Sequence, residues 1–316
     1  MKNEIFFNLI LSFIINSFYC KVILQKVGIA YGLNNQYTYP TLVSMTSILE
    51  NSSSHTYYIF YILVDEKTFK NNNKQILTSL EKKYDRCEVN IIEISDENLK
   101  NANTKRYPLA AYYRLILAEI IPDLNRIIYL DGDTLIYDDL SEMYNLEMEN
   151  NIILGFVDNS YKKAEEFGIQ TYKYIVSGVL LINLKKIRKE NITQKFFEFM
   201  DKYQDKLTQE DQTVINIVLH GRIGLLPPKF GMWNFHTKDS LLNHNNYGNQ
   251  NLGIKAYDEK EIIKAWNTPS IIHYVRAKPW RIRTKITQIK FHEDWWEYAK
   301  MTNYYKNIVS FYRGEK

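Results

Sequence analysis

The chain has 316 residues, 45% of them hydrophobic, with 40 basic against 36 acidic side chains and a formal charge of +4. A chain of this length and apolarity buries a large core, which excludes intrinsic disorder. The near balance of charge, with no long block of either sign, removes the electrostatic case for a nucleic-acid partner.

Residues 1–20 stand apart from the rest. Lys2 precedes an apolar segment over 5–19, interrupted by Asn8, Ser12, Asn16 and Ser17 and short for a bilayer span. It reads as a signal peptide or, because Phe18 and Tyr19 are bulky near Cys20, as a short signal-anchor. That predicts a protein of the secretory pathway, lumenal or secreted, touching a membrane only through an uncleaved leader. The acceptor sequons Asn51-Ser52-Ser53 and Asn191-Ile192-Thr193 suit such a place. Once Cys20 is removed only Cys87 remains, so no intrachain disulfide can form.

A first strand over 22–31 ends in the polar cluster Asn34-Asn35-Gln36-Tyr37. A helix from 39 or 40 to 49 follows, with Leu42, Val43, Met45, Thr46 and Leu49 as its apolar stripe. A strand over 57–64, a polar helix over 68–84 and a strand over 89–94 continue the alternation. This β-α-β-α-β order implies a parallel sheet of nucleotide-binding type. Pro108 opens a predicted helix to 121 that carries Arg114 inside its apolar stripe. A buried Arg needs an anionic partner or a ligand phosphate; the plainer alternatives are snorkelling and a pair with Glu119.

The run Arg126-Ile-Ile-Tyr-Leu130 reads as a strand buried on both faces, and Asp131-Gly132-Asp133 follows it at once. On an extended backbone residues two apart share a face, so both carboxylates can point one way. Like charges that close repel unless a cation lies between them, and hard oxygen ligands suit Mg²⁺ or Mn²⁺. An Asp-rich solvated turn is the bland alternative.

Residues 152–157 make another apolar strand, ending at Asp158, and Ser177-Gly-Val-Leu-Leu-Ile-Asn-Leu184 a further one. A helix over 193–203 follows, then a second one headed by Glu210-Asp211-Gln212 and closed by Gly221. Acidic residues at a helix start are also what the helix dipole favours. The polar stretch 235–257 reads as a mobile loop. Finally, a strand at 270–273 delivers His273 into a basic loop with Arg276 and Lys278, which suit a diphosphate. The tail with Trp295-Trp296 reads as an aromatic helix capping the core.

Taken in order, Asn34 to Tyr37, the Arg114 helix, Leu130-Asp131-Gly132-Asp133, Ser177 to Leu184, Asp211-Gln212 and His273 through Lys278-Pro279-Trp280 resemble glycosyltransferase family 8. This retaining group includes lipopolysaccharide galactosyl- and glucosyltransferases and glycogenin. The resemblance spans about 27–280 and implies an α/β glycosyltransferase-A fold, a mostly parallel central sheet flanked by helices. It also implies a UDP-sugar donor, a glycan or other hydroxyl acceptor and Mn²⁺ or Mg²⁺. The chain then divides into a leader at 1–20, a catalytic domain at 21–280 and a helical tail at 281–316.

By the same resemblance Asp131, Asp133 and His273 are the metal ligands, with Gly132 between the carboxylates. Tyr37 stacks on uracil, Asn34 and Gln36 contact the base edge, Arg114 and Asp158 the donor sugar, and Lys278 the diphosphate. Asp211 and Gln212 face the anomeric carbon, where Asp211, Gln212 and Asp158 are the catalytic candidates. Retention is open to a covalent intermediate or to front-face attack. Three features depart from the family: Asn34 stands where Asp is usual, Val176 where Asn is usual, and the 273–278 loop is short, with Arg276 inside it. These departures motivate one rival, a degenerate transferase that binds without turnover. The other rival is a phosphatase of the haloacid dehalogenase type using Asp131 as nucleophile; its motif normally sits on a first strand with Thr or Val where Leu135 stands.

Overall fold

In this computed structural model the described residues are 24–99, 109–158, 162–203, 206–207, 210–234, 255–281 and 290–314. The predicted leader, Pro108 and nearly all of the 235–257 loop lie outside them.

The main sheet has seven strands. Chain order gives β1 Gln25–Gly32, β2 Thr56–Asp65, β3 Cys87–Ile94, β4 Ile127–Leu130, β6 Ile153–Val157, β7 Ile175–Ile182 and β8 Ile223–Leu225. Their spatial order is β3-β2-β1-β4-β7-β6-β8. The pairs β1–β2, β2–β3, β1–β4 and β6–β8 are parallel, whereas β7 runs antiparallel to both β4 and β6. A second sheet of three short strands, β5 Thr134–Ile136, β10 Ile271–His273 and β9 Met232–Trp233, is built around β10.

The strands form where the sequence is continuously apolar. Ile127, Ile128, Tyr129 and Leu130 of β4 have no exposed surface, as a strand covered on both faces requires. Helices α1 Thr38–Glu50 and α2 Asn71–Thr78 cover one face. The segment 109–121 and helices α3 Leu184–Lys189, α4 Ile192–Tyr203 and α5 Glu210–Val218 cover the other. Helix α6 Glu259–Asn267 and the C-terminal helices α7 His292–Met301 and α8 Tyr305–Arg313 pack on the small sheet, where Trp280 and Trp295 lie 4.9 Å apart. The tail is thus two helices rather than one. Gly221, at φ +77°, ends the α5 segment.

Several expectations are corrected. Residues 109–121 are no continuous α-helix: Leu109–Leu115 is a 3₁₀ helix and only Leu117–Ile120 is α-helical. Ala110, Tyr112, Tyr113, Arg114 and Leu115 are all buried, so the segment lacks the alternation of apolar and solvent faces that the helix was read from, and Ala111 O accepts from Arg114 Nε at 2.9 Å. The helix predicted over 68–84 is α-helical only in α2, and a 3₁₀ turn at Ser79–Lys82 follows it. There the Thr78 and Ser79 hydroxyls donate back to Lys74 O and Ile76 O, a local alternative to the helical ladder. Helix α1 carries no simple apolar stripe either, since Thr41, Ser44, Thr46 and Ser47 are buried beside its aliphatic residues.

Candidate active site

Strand β4 ends at the carboxyl edge of the parallel half of the sheet, where ligands of open α/β sheets collect. Asp131 to Asp133 form a turn there, with β5 starting at Thr134, so the carboxylates converge by a bend and not along an extended strand. Gly132 allows that bend to lie close to α1, because a Cβ on it would sit 2.3 Å from Thr41 Oγ1. Strand β10 pairs antiparallel with β5, His273 opposite Thr134, and so brings an imidazole from a distant part of the chain to the turn.

His273 Nε2 lies 3.1 Å from Asp133 Oδ1 and 3.6 Å from Asp131 Oδ2. One ligand atom from each of the three residues falls within 4.8 Å of the others. Asp133 Oδ1 is buried, with the His273 imidazole as its near polar neighbour. Two carboxylate oxygens and an imidazole nitrogen that converge in this way suit a divalent cation of the Mn²⁺ or Mg²⁺ kind. Burial alone would raise the Asp133 pKa. Lys278 and His273 outweigh it and hold the carboxyl below its ordinary range. Lys278 Nζ, itself buried, donates to Asp133 Oδ2 and to Tyr274 O.

Arg114 sits behind the turn. It donates through its NH2 nitrogen to Asp131 Oδ1 at 2.9 Å and through a second terminal nitrogen to Ser177 O, while its Nε lies 3.2 Å from Asp211 Oδ2. Burial disfavours its charge, but the two carboxylates more than compensate and raise its pKa. Asp211, at the start of α5, goes the other way: burial raises its pKa against the pull of Arg114. Gln212 is held at both ends, its Nε2 donating to Asp158 Oδ2 at 2.8 Å and its Oε1 accepting from Ser177 N at 3.3 Å.

These groups surround one cleft of about 350 Å³, lined by Gly32, Leu33, Asn34, Tyr37, Ala110, Ala111, Arg114, Asp131, Gly132, Asp133, Ser177, Asp211 and Gln212. Asp158, His273 and Lys278 stand behind that lining, each against one of its members. Tyr37 presents its ring to the cleft and donates to Asp133 Oδ2 at 3.3 Å. Asn34 lines the cleft, yet its Oδ1 is already engaged, accepting from Gln36 N at 3.0 Å as cap of the Asn35–Tyr37 turn. Gln36 is exposed and does not line the cleft. Arg276 is exposed too, in a left-handed conformation at φ +62°.

Sequence reasoning missed the part played by Ser177 and Gly178. Ser177 uses its backbone to bind both Arg114 and Gln212. Gly178 makes room, since a Cβ there would stand 2.3 Å from His273 Cε1 and 2.6 Å from Asp131 Oδ2. A glycine inside an otherwise bulky strand was the available signal.

The description of glycosyl transferase family 8 matches residues 28–284. The chain belongs to glycosyltransferase family 8. A Haemophilus influenzae protein named as a glycosyltransferase is 31% identical over 65% of this chain, and the match spans 63% of that protein's own length. A lipopolysaccharide 1,2-glucosyltransferase of Escherichia coli is 26% identical over 90% of this chain and 78% of its own. Among solved structures, the galactosyltransferase LgtC in complex with donor and acceptor sugar analogs superposes with a TM-score of 0.70 at 21% identity, over 88% of this chain and 96% of that one. That likeness establishes the glycosyltransferase-A fold. This family 8 chain is therefore a transferase enzyme, which sets aside the phosphatase reading.

Proposed function

We propose that this enzyme moves glucose or galactose, or alternatively xylose, from a UDP-sugar to a hydroxyl of a glycan with retention of anomeric configuration, using Mn²⁺ or Mg²⁺ held by Asp131, Asp133 and His273. The observation that carries this reading is the convergence of those three ligand groups on a cleft that also holds Tyr37, Arg114, Asp211 and Gln212. The cleft volume falls within the usual range for small-molecule sites. The name of the Escherichia coli relative supports a glucosyl donor and a saccharide acceptor.

In this reading Tyr37 offers a ring face to uracil, and Asn34 stands at the base edge. Lys278 keeps a buried ammonium beside the place of the diphosphate. Arg114 holds the Asp131 carboxylate and Asp211 in fixed relation, and Asp158 fixes the Gln212 amide at the sugar end of the cleft. A divalent cation bound at this site would neutralise charge developing on the leaving UDP. The leader over 1–20 is the support for assigning the enzyme to the secretory pathway.

The test is a panel of UDP-glucose, UDP-galactose and UDP-xylose with Mn²⁺, following UDP release by wild type and Asp133→Asn. Loss of one charged ligand is expected to lower the rate by roughly 10²-fold. Equal UDP release by the two proteins would sink the assignment of the metal site.

A further inference from the structure

Helix α1 and its cap carry Thr41, Ser44, Ser47 and Asn51 at spacings of three, three and four, which places them on one face. That face meets the edge of β5 opposite to β10. Ser47 Oγ accepts from Ile136 N at 3.0 Å, and Asn51 Nδ2 donates to Ile136 O at 3.0 Å. Helix side chains thus satisfy the backbone groups that a neighbouring strand would otherwise take.

Beneath this seam runs a relay of hydroxyls. Tyr31 Oη lies 2.9 Å from Ser44 Oγ, Ser44 Oγ lies 2.9 Å from Thr134 Oγ1, and Thr134 Oγ1 donates to Asp131 O at 3.0 Å. A carbonyl only accepts, so the single Thr134 proton is committed to Asp131. Ser44 must then donate to Thr134, and Tyr31 to Ser44. All three side chains have no exposed surface, where such chains polarise one another and a missing partner is costly.

We infer that Thr134, backed by Ser44 and Tyr31, is a positioning residue for the metal centre: the relay fixes the Asp131 carbonyl and with it the turn that aims Asp131 and Asp133 at His273. A β-branched apolar residue would fill the same space in β5 between the same neighbours, so the hydroxyl answers to the turn and not to packing. The inference rests on the metal-dependent reading above.

The test is titration of Mn²⁺ into the purified full chain by calorimetry, with folding checked by thermal melting in EDTA. Thr134→Val keeps the shape and removes the proton; its Mn²⁺ dissociation constant is expected to rise roughly tenfold, as for other partners that orient metal ligands. Thr134→Ser is expected to restore wild-type affinity. Ser44→Ala, which leaves the contact with Asp131 in place, is expected to weaken binding about threefold. A folded Thr134→Val chain that binds Mn²⁺ as tightly as wild type overturns the inference, as does a serine variant that fails to recover affinity. If Thr134→Val does not fold, unchanged Mn²⁺ affinity in both Ser44→Ala and Tyr31→Phe overturns it. A wild-type chain that binds no Mn²⁺ overturns the functional reading as well, which separates the two failures.

Discussion

Gly178 and His273 occupy a space that admits no further carbon atom: a Cβ on Gly178 would lie 2.3 Å from His273 Cε1, well inside van der Waals contact. The imidazole keeps its approach to the two carboxylates only because β7 passes it without a side chain. Gly178→Ala is therefore expected to displace His273 or Asp131 and weaken Mn²⁺ binding by about 10- to 100-fold. Calorimetry would measure it; a variant of wild-type affinity would show that the ring has another position to take.

Lys278 carries a second prediction, because its ammonium and Asp133 are buried together. Removing one partner of a buried pair leaves a charge without compensation, at a cost of roughly 3–5 kcal/mol. Lys278→Met should lose about that much stability in urea without metal. Added Mn²⁺ should recover part of it, through binding to the folded state alone. Equal stabilisation of variant and wild type by Mn²⁺ would refute the exchange of one cation for another.

The same pair sets a pH dependence. The folded-state pKa of Asp133 lies below its unfolded value, so the carboxylate contributes stability above the ordinary carboxylate range, and that contribution is lost as pH falls toward the folded value. Wild-type stability should decline on acidification below about pH 4, and the decline should be shallower in Lys278→Met. Urea midpoints across an acid series would decide; parallel curves count against Lys278 as the cause.

Asp211 has the opposite sign. Burial raises its folded-state pKa, so the ionised form is penalised and its contribution is lost as pH rises through that value. Asp211→Asn should therefore melt at the same or a higher temperature at neutral pH, by ~2 °C for each kcal/mol relieved, while UDP release falls. A lower melting temperature would show that the contact with Arg114 outweighs desolvation.

The two sequons should behave differently in a host that glycosylates. Asn51 Nδ2 is occupied by Ser47 O, Ile136 O and Tyr298 Oη, whereas Asn191 is exposed. Folded secreted protein is expected to carry glycan at Asn191 and none at Asn51, as peptide mass spectrometry would report. A glycan on Asn51 in active protein would contradict the seam between α1 and β5.

The sequence made some of this legible and hid the rest for identifiable reasons. Strands β1, β2 and β4 and helix α1 were readable because uninterrupted apolar runs and their stop signals are local. The reversed direction of β7 was not, since a run buried on both faces reads alike either way. The 3₁₀ form of Leu109–Leu115 was hidden because its burial is set by β1, β2 and α5, not by its own period. At the site, the order of motifs correctly grouped Asp131, Asp133 and His273, but their approach through a turn required the antiparallel pairing of β5 with β10. Gln36 is exposed and outside the cleft lining, which its adjacency to Tyr37 in the chain did not reveal, because adjacency does not fix the direction of a side chain. Thr134 and Gly178 drew no attention as individual residues, because their work is done by one proton and one absent carbon.

The direction of β7 also limits how this enzyme can vary. Its register sets Val179 against Leu130, and the Gly178 carbonyl receives the Asp131 N–H at 2.8 Å. A single-residue insertion or deletion between α3 and the 158–174 connection would therefore exchange glycine for serine or valine beside the imidazole and at the same stroke rotate Ser177 away from Arg114 and Gln212. Length changes across this family are expected to collect in the flanking loops, with the count of residues through β7 held constant.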